Sequence, residues 1–300
     1  MSIKLNKLSL KDNSIETLLD TSDFIFSIAF CKETNGIFYS NFSRNNISMF
    51  DLDKKNVVLY KEEDILSPKS VCLSNNHDRV FYEDDNNGIS GFYIKSTLVF
   101  SWAGHYAKLS MDSQQNFRNT TSNDLADTKV KTNCITYADN LNIIFMSKCK
   151  KNSIDFIDSS GKNYKFIGSG KQDFSSSTEI SNVSFNCPTS LCFTNNNLFV
   201  ADTNNHVIRR FSESNKWKEL PIVGVPNKEG KQDGNCNKST FRFPTEICNF
   251  DKNMFIIDDG VKIRKIDVDK NEVKTIHSTT GLIKSITCDN ENVYWTETIL

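Results

Sequence analysis

The chain has 300 residues, of which 36 are basic and 37 acidic, for a formal net charge of −1. This balance argues against a polyanion or an acidic membrane surface as partner, so we expect neither nucleic acid nor a membrane. No apolar run approaches membrane-spanning length. Residues 1–20 alternate polar and apolar side chains, unlike a secretory signal peptide. We therefore expect a cytoplasmic protein.

In chain order, the predicted elements are short strands separated by polar turns. Strands over residues 3–10 and 14–19 come first. A hairpin of an aromatic-centred strand, a polar turn and a second strand then recurs at residues 36–50, 79–92, 143–156, 197–211 and 253–266. Each copy has a further strand before it and after it. Four antiparallel strands, repeated about every 40–50 residues, are typical of β-propeller blades.

The last repeat ends after only two strands, at about residues 284–288 and 293–298. The two N-terminal strands would complete it, which leaves no open gap in the ring. We therefore predict an all-β, six-bladed β-propeller of four-stranded antiparallel blades in a single domain, residues 1–300. The sixth blade is split between residues 1–20 and 281–300. The alternative is a short helix over residues 14–22 and an open ring.

The fourth and fifth repeats share a more specific pattern. Its residues are Pro188, Asp202, Asn205, His206 and Arg209 in the fourth repeat, and Pro244, Asp258 and Arg264 in the fifth. Over residues 180–270 the sequence resembles the NHL-repeat β-propeller family. The resemblance implies that these residues are structural. The first three repeats lack the Asn-His pair and keep only the strand rhythm.

Nine cysteines are present, and one falls in the first strand of each repeat. These are Cys31, Cys72, Cys134, Cys192, Cys248 and Cys288. A free cysteine packs as a small apolar side chain, which suits strands that crowd an axis. We predict that all nine thiols are reduced and that Cys149 and Cys236, in loops, are the most reactive. A ring of thiols holding a soft metal is the alternative, but no CxxC motif supports it.

Loops on a rigid scaffold carry function more often than the scaffold itself. The turns that begin at Asn41, Asp84, Lys148, Asp202, Asp258 and Glu297 are expected on one face of the disc, together with the long joining segments. The candidate contact residues on this face are Arg44, Asp84, Lys148, Lys150, Asn204, Asp259 and Glu297. We predict a non-catalytic, monomeric scaffold that binds a protein through this face, with no cofactor or metal.

Two other functions remain open. Some similar propellers are calcium-dependent hydrolases or lyases, such as lactonases and strictosidine synthase-like proteins. The acids of the turns, Asp202 and Asp258 among them, could supply the oxygen ligands that calcium needs. The competing interpretation is that each acid caps the turn that follows it. Some NHL propellers bind RNA on a basic face, for which Lys148, Lys150 and Lys151 form the best local cluster.

Overall fold

A computed structural model describes residues 2–61, 67–73, 79–84, 88–93, 99–103, 132–158, 162–250 and 252–299. The long segment of residues 104–131, for which the sequence predicts a surface loop, lies outside the described residues. The described part of the chain consists of antiparallel strands and four short 3-10 helices, whose bounds are Cys149–Lys151, Ile180–Asn182, Thr203–Asn205 and Glu213–Asn215.

Twenty-five strands are named β1 to β25 in chain order. The first two are β1 (Ser2–Ser9) and β2 (Ile15–Thr21). Blade one contains β3 (Ile25–Cys31), β4 (Gly36–Asn41), β5 (Asn46–Asp51) and β6 (Asn56–Lys61). Blade two contains β7 (Ser70–Leu73), β8 (Arg79–Asp84), β9 (Gly88–Tyr93) and β10 (Val99–Ala103). Blade three contains β11 (Cys134–Ala138), β12 (Ile143–Lys148), β13 (Ser153–Ile157) and β14 (Asn163–Ile167).

Blade four contains β15 (Pro188–Thr194), β16 (Asn197–Asp202), β17 (Val207–Ser212) and β18 (Lys218–Val223). Blade five contains β19 (Gly234–Asn235), β20 (Glu246–Phe250), β21 (Asn253–Asp258), β22 (Lys262–Asp267) and β23 (Glu272–Ser278). The chain ends with β24 (Leu282–Cys288) and β25 (Asn292–Ile299).

The first strand of each repeat lies at the centre of the molecule. β3, β7, β11, β15, β20 and β24 each contact the next in that order, and β24 contacts β3 again. These six inner strands therefore surround an axis, and the remaining strands of each sheet follow outward. The arrangement is a β-propeller, as the strand rhythm predicts.

Five of the six sheets in the described residues have four strands, and one has five. The prediction of four strands in every blade is therefore wrong for blade five, which has a fifth strand. In blade five, β19 adds to the outer edge of β23 through the pairs Gly234 with Val273 and Asn235 with Glu272. Gly234 has a φ of 122°, a conformation that side-chain-bearing residues rarely adopt. The joining segment can thus cover an edge that would otherwise be open.

The two ends of the chain pair with each other in one sheet, in the order β2-β1-β25-β24. The register between β1 and β25 runs from Ser2 opposite Ile299 to Ser9 opposite Asn292. β2 covers residues 15–21 as a strand. The alternative of a helix over residues 14–22 with an open ring is therefore wrong. We call this sheet the closing blade.

Between neighbouring blades the core consists of aliphatic and aromatic side chains. The aromatic positions that mark the repeats are buried, with 0% exposure for Phe38, Phe145 and Phe255, 7% for Phe199 and 2% for Tyr294. Alternation along each strand sends these rings into the layers between sheets, where burial stabilises the ring of blades. No helix in the described part of the chain is long and apolar enough to cross a membrane.

Candidate functional site

The Asp-Arg pattern of blade four forms a buried ion pair. Asp202 ends β16, Arg209 is the third residue of β17, and both side chains are fully buried. Asp202 Oδ2 accepts hydrogen bonds from Arg209 Nη1 at 3.2 Å and Asn205 Nδ2 at 2.8 Å. Asp202 Oδ1 accepts the backbone N–H of Asn186 at 2.8 Å. We call the positions of Asp202 and Arg209, and their equivalents in other blades, the blade corner.

Arg209 also binds the segment that leads into blade four. Its Nη1 and Nη2 donate to the carbonyl oxygens of Ser184 at 2.6 Å and Ser175 at 2.8 Å. Its Nε donates to Glu219 Oε1 at 2.6 Å. A guanidinium has five N–H donors in a planar fork, so one arginine can hold a loop, a turn and an outer strand together. The ion pair therefore has a structural role, since it holds the joining segment, the turn and the outer strand together.

Blade five builds the same corner. Asp258 Oδ2 accepts from Arg264 Nη1 at 3.0 Å, and Asp258 Oδ1 accepts the backbone N–H of Arg242 at 2.7 Å. Arg264 Nη2 donates to the carbonyl of Gln232 at 2.7 Å and to Asp233 Oδ1 at 2.8 Å. Both corners thus bind the joining segment in front of their own blade.

A second feature is a cavity of about 780 Å³ along the axis, lined by the inner strands. Serine hydroxyls tie four of the six inner strands to the next. Ser27 Oγ accepts the N–H of Val71 at 3.2 Å, and Ser190 Oγ accepts that of Ile247 at 3.1 Å. The same position carries Ser70, Cys134, Glu246 and Ser285 in the other blades. A small polar residue suits this place because the strands approach closely there.

Glu246 is the one acidic residue at this position in the six inner strands. Its Oε2 lies 3.5 Å from Ser285 Oγ, at the outer limit of a hydrogen bond, and no cation of the described residues offsets its charge. Burial raises the pKa of Glu246 to about 8. The axial channel therefore contains a carboxyl group that changes its charge near neutral pH.

Comparison with known sequences bears on the blade-four corner. The sequence model described as NHL repeat matches residues 185–211. This chain carries an NHL repeat. The match spans all five residues that the sequence resemblance selects in the fourth repeat, which are Pro188, Asp202, Asn205, His206 and Arg209. No curated protein matches the chain.

Solved structures similar to this NHL-repeat propeller share its fold at low sequence identity. A structural genomics protein of unknown function from Bacteroides thetaiotaomicron has a TM-score of 0.64 and 13% identity; the alignment covers 96% of this chain and 63% of that one. A chain of the nidogen/laminin complex has a TM-score of 0.63 and 14% identity, with 95% and 97% covered. Virginiamycin B lyase from Staphylococcus aureus has a TM-score of 0.56 and 13% identity, with 99% and 100% covered. Such identities show the fold alone.

The other residues of the NHL pattern shape the turns. His206 adopts a left-handed conformation with φ of 60°, and its Nδ1 accepts the N–H of Phe243 at 3.3 Å. Pro188 starts β15 opposite Asp202, and the carbonyl of Pro244 accepts from Thr203 Oγ1 at 2.7 Å. The prediction that Asp202 caps the turn after it is wrong. That turn has no side-chain cap, and Asp202 binds the N–H of Asn186 in the preceding segment instead.

Two predicted contact residues lie at blade corners and point inward. Lys148 is the equivalent of Asp202 in blade three, where it forms a buried ion pair with Asp155, the equivalent of Arg209. Glu297 is the equivalent in the closing blade; it accepts from Asn6 Nδ2 at 3.2 Å and from Trp295 Nε1 at 3.3 Å. Their exposures are only 4% and 7%. Their charged groups therefore belong to the interior of the protein.

The remaining candidates lie on the face of the disc that carries the turns after β4, β8, β12, β16 and β21, which we call the turn face. Arg44 is 66% exposed and pairs with Asp23 at 2.7 Å. Lys150 and Asn204 are exposed, and Asp259 pairs with Lys231 at 2.6 Å. Asp84 ends β8, and its side chain lies outside the described residues. The structure does not bring these candidates together into one cluster, because each lies on the turn of a different blade.

Sequence reasoning missed an aromatic cluster on the same face. The rings of Phe24, Phe26 and Phe42 lie 6.0 to 6.2 Å apart, and Phe26 and Phe42 are 43% and 39% exposed. Phe42 occupies the turn between β4 and β5 of blade one, where blades four and five have the polar residues Thr203 and Asp259. That departure from the turn pattern was the available signal.

The cysteine prediction is wrong in two respects. Cys149, in the turn after β12, forms a disulfide with Cys187, which lies just before β15. Cys236 is buried with 6% exposure, because its loop packs between blades four and five. The seven other cysteines are free. Burial raises the pKa of the Cys72 and Cys192 thiols. No group of three or more His, Cys, Asp or Glu in the described residues could hold a metal ion.

Proposed function

We propose that this NHL-repeat propeller is a non-catalytic scaffold that binds another protein through its turn face. The observation that carries the proposal is the exposed cluster of Phe24, Phe26 and Phe42. Three phenylalanine rings held together in contact with water cost free energy that a soluble fold can avoid. Contiguous exposed apolar patches of this kind are typical of interaction surfaces.

The backbone holds this cluster in a defined shape. The N–H of Phe42 donates to the carbonyl of Phe24 at 2.9 Å, and the N–H of Phe24 donates to Ser43 Oγ at 2.8 Å. Phe26 belongs to β3, an inner strand of the ring. The rings are therefore placed before any partner arrives, which reduces the entropy that binding would otherwise lose.

Arg44 adds a polar anchor beside the rings. It lies two residues after Phe42, and its backbone N–H donates to Asn41 Oδ1 at 3.1 Å. Its guanidinium pairs with Asp23 at 2.7 Å and remains 66% exposed. Aromatic side chains and arginine are the residues most enriched at the energetic centres of protein interfaces. A partner with an apolar anchor and a carboxylate would match this patch.

The geometry supports the two alternatives less well. A calcium-dependent hydrolase or lyase would need free acids, but Asp202 and Asp258 are each paired with an arginine of their own blade. The similarity to virginiamycin B lyase lies in the fold. An RNA-binding face would need exposed basic residues, but Lys148 is buried with Asp155. Of the predicted basic cluster of Lys148, Lys150 and Lys151, Lys148 is therefore not available on the surface.

The test compares two double variants in affinity capture by the cross-linked protein. Phe26→Ser with Phe42→Ser removes the cluster, whereas Val57→Ser with Leu59→Ser removes residues of similar exposure, 46% and 51%, on the outer strand β6. We expect the first variant to lose a specific protein that the wild type and the second variant retain. Equal capture by all three proteins, at equal melting temperatures, would refute the proposal.

A further inference from the structure

Arg210 follows the corner arginine of blade four in the sequence, but its side chain lies on the opposite face of the sheet. Successive strand residues point to opposite faces of a sheet. Arg209 therefore faces the joining segment of its own blade, whereas Arg210 faces blade five and lies 5.9 Å from the ring centroid of Phe199. Phe199 is also its cross-strand partner on β16.

The Arg210 guanidinium is partly buried and has no carboxylate partner among the described residues. Its Nε–H is buried and donates to no acceptor of those residues, and burial alone lowers the pKa of Arg210. An arginine stays charged in proteins, so this site holds a positive charge that is partly removed from water. Leaving a buried cation uncompensated is costly, and an anion would relieve that cost.

Arg210 lines two adjoining cavities between blades four and five. Their volumes are about 360 and 160 Å³, and both are lined by Phe199, Arg210, Met254 and Val268. The larger cavity falls in the usual range of about 300 to 1,000 Å³ for small-molecule sites. A space for a ligand and an unpaired charge therefore coincide.

The residues that line the two cavities indicate which chemical class of ligand would fit. The larger cavity is lined mostly by apolar side chains, including Ile208, Ile222 and Ile266, with the amides of Asn237 and Asn271 at its edge. The smaller cavity is also lined by Asp269 and Lys252, which pair with each other at 2.6 Å. One cation against apolar walls suits a single negative charge on a hydrophobic body. A phosphate would bring a second charge without a partner.

We propose that this interblade cavity is a binding site for a small hydrophobic carboxylate, whose carboxylate group pairs with the Arg210 guanidinium. The planar fork of arginine fits a carboxylate with two parallel hydrogen bonds. The aliphatic or aromatic body of the ligand packs between Phe199 and Met254. The site is separate from the turn face and does not depend on a protein partner.

Blade five supplies an internal control. Lys265 is the equivalent of Arg210, because it follows the corner residue Arg264 and pairs across the sheet with Phe255. Lys265 has an acid nearby, since it helps to lower the pKa of Asp267. It lines neither of these cavities. Replacing Lys265 therefore removes the same charge from the same strand position without touching the site.

The experiment is isothermal titration of the full chain with octanoate and with octanamide, its uncharged counterpart. We expect octanoate to bind wild type at least about tenfold more tightly than octanamide, as one charge-assisted pair requires. Arg210→Gln should weaken octanoate binding about tenfold or more and leave octanamide binding unchanged. Lys265→Gln should bind octanoate as the wild type does.

Thermal unfolding separates this role from a structural one. Because the buried Nε of Arg210 makes no hydrogen bond to the described residues, Arg210→Gln should melt no lower than the wild type. The proposal is wrong if millimolar octanoate and 3-phenylpropanoate do not bind the wild type, or if Arg210→Gln binds octanoate equally well. A marked fall in the melting temperature of Arg210→Gln would show that Arg210 is structural, which would also overturn it.

Discussion

Charged side chains are buried in two regions of the propeller, the blade corners and the axial channel, and the two regions treat the charge differently. At the corners, Asp202 is paired with Arg209 and Lys148 with Asp155. In the channel, Glu246 has only the distant hydroxyl of Ser285 among the described residues. Burial raises the pKa of both acids, to about 6 for Asp202 beside its arginine and to about 8 for Glu246 without a cation. The arginine therefore keeps the corner carboxylate charged to a lower pH than the channel carboxyl.

The corners also show that equivalent positions in different blades can carry charges of opposite sign. Blade three places a base where blade four has an acid, and an acid where blade four has an arginine. The closing blade uses Glu297 with the neutral Asn6. In these blades the corner holds two mutually satisfied polar groups, because unpaired ones would be costly there. Either position of the pair can carry the positive or the negative charge.

The largest expected effect comes from removing one member of a corner. Arg209→Met leaves Asp202 and Glu219 buried without their cation and releases the carbonyls of Ser175 and Ser184. We expect the free energy of unfolding to fall by about 3–5 kcal/mol, the usual cost of breaking a buried pair. Urea unfolding measures it. Arg210→Gln, one residue away, is the matched control, and equal losses in the two variants would contradict the corner's role.

The axial carboxyl should instead give a pH-dependent effect. The pKa of Glu246 rises from 4.5 to about 8 on folding, so the folded state binds the proton more tightly. The contribution of Glu246 to the free energy of unfolding is then largest below about pH 4.5 and is lost as the pH rises through about 8. Relative to Glu246→Gln, the wild type should lose at least about 1.4 kcal/mol, the equivalent of one pKa unit.

This measurement uses urea unfolding of both proteins across that pH range. Glu291→Gln changes an exposed acid of the β24–β25 turn and should run parallel to the wild type at every pH. If Glu246→Gln also runs parallel to the wild type, the channel carboxyl ionises like a surface acid.

The smallest expected effect is that of calcium. Because Asp202 and Asp258 are engaged by arginines, we expect the same melting temperature in chelator and in millimolar calcium. A metal that binds only the folded ring adds about 2.7 kcal/mol at a hundredfold excess over Kd, enough to raise the melting temperature by several degrees. A rise that Asp84→Asn or Asp259→Asn abolishes would favour the calcium-dependent enzyme instead.

The strand pattern, the propeller class and the pairing of the chain ends could be predicted from the sequence. The alternation of apolar side chains and the polar turns are local signals, so they can be read without coordinates. Phe38, Phe145 and Phe255 are fully buried for this reason. The blade-four motif could be recognised in the sequence because its acid and its arginine are seven positions apart on one hairpin.

Which charged side chains face inward, and which segments meet, could not be predicted from the sequence. Lys148 and Glu297 look like turn residues in the sequence, but they occupy the corner positions and find partners in neighbouring strands. Cys149 and Cys187 are 38 residues apart and meet because a turn of blade three faces the segment before blade four. Glu246 faces the channel without a cation because the inner strands converge on an axis. Each outcome depends on contacts between segments distant in the chain, which no local pattern records.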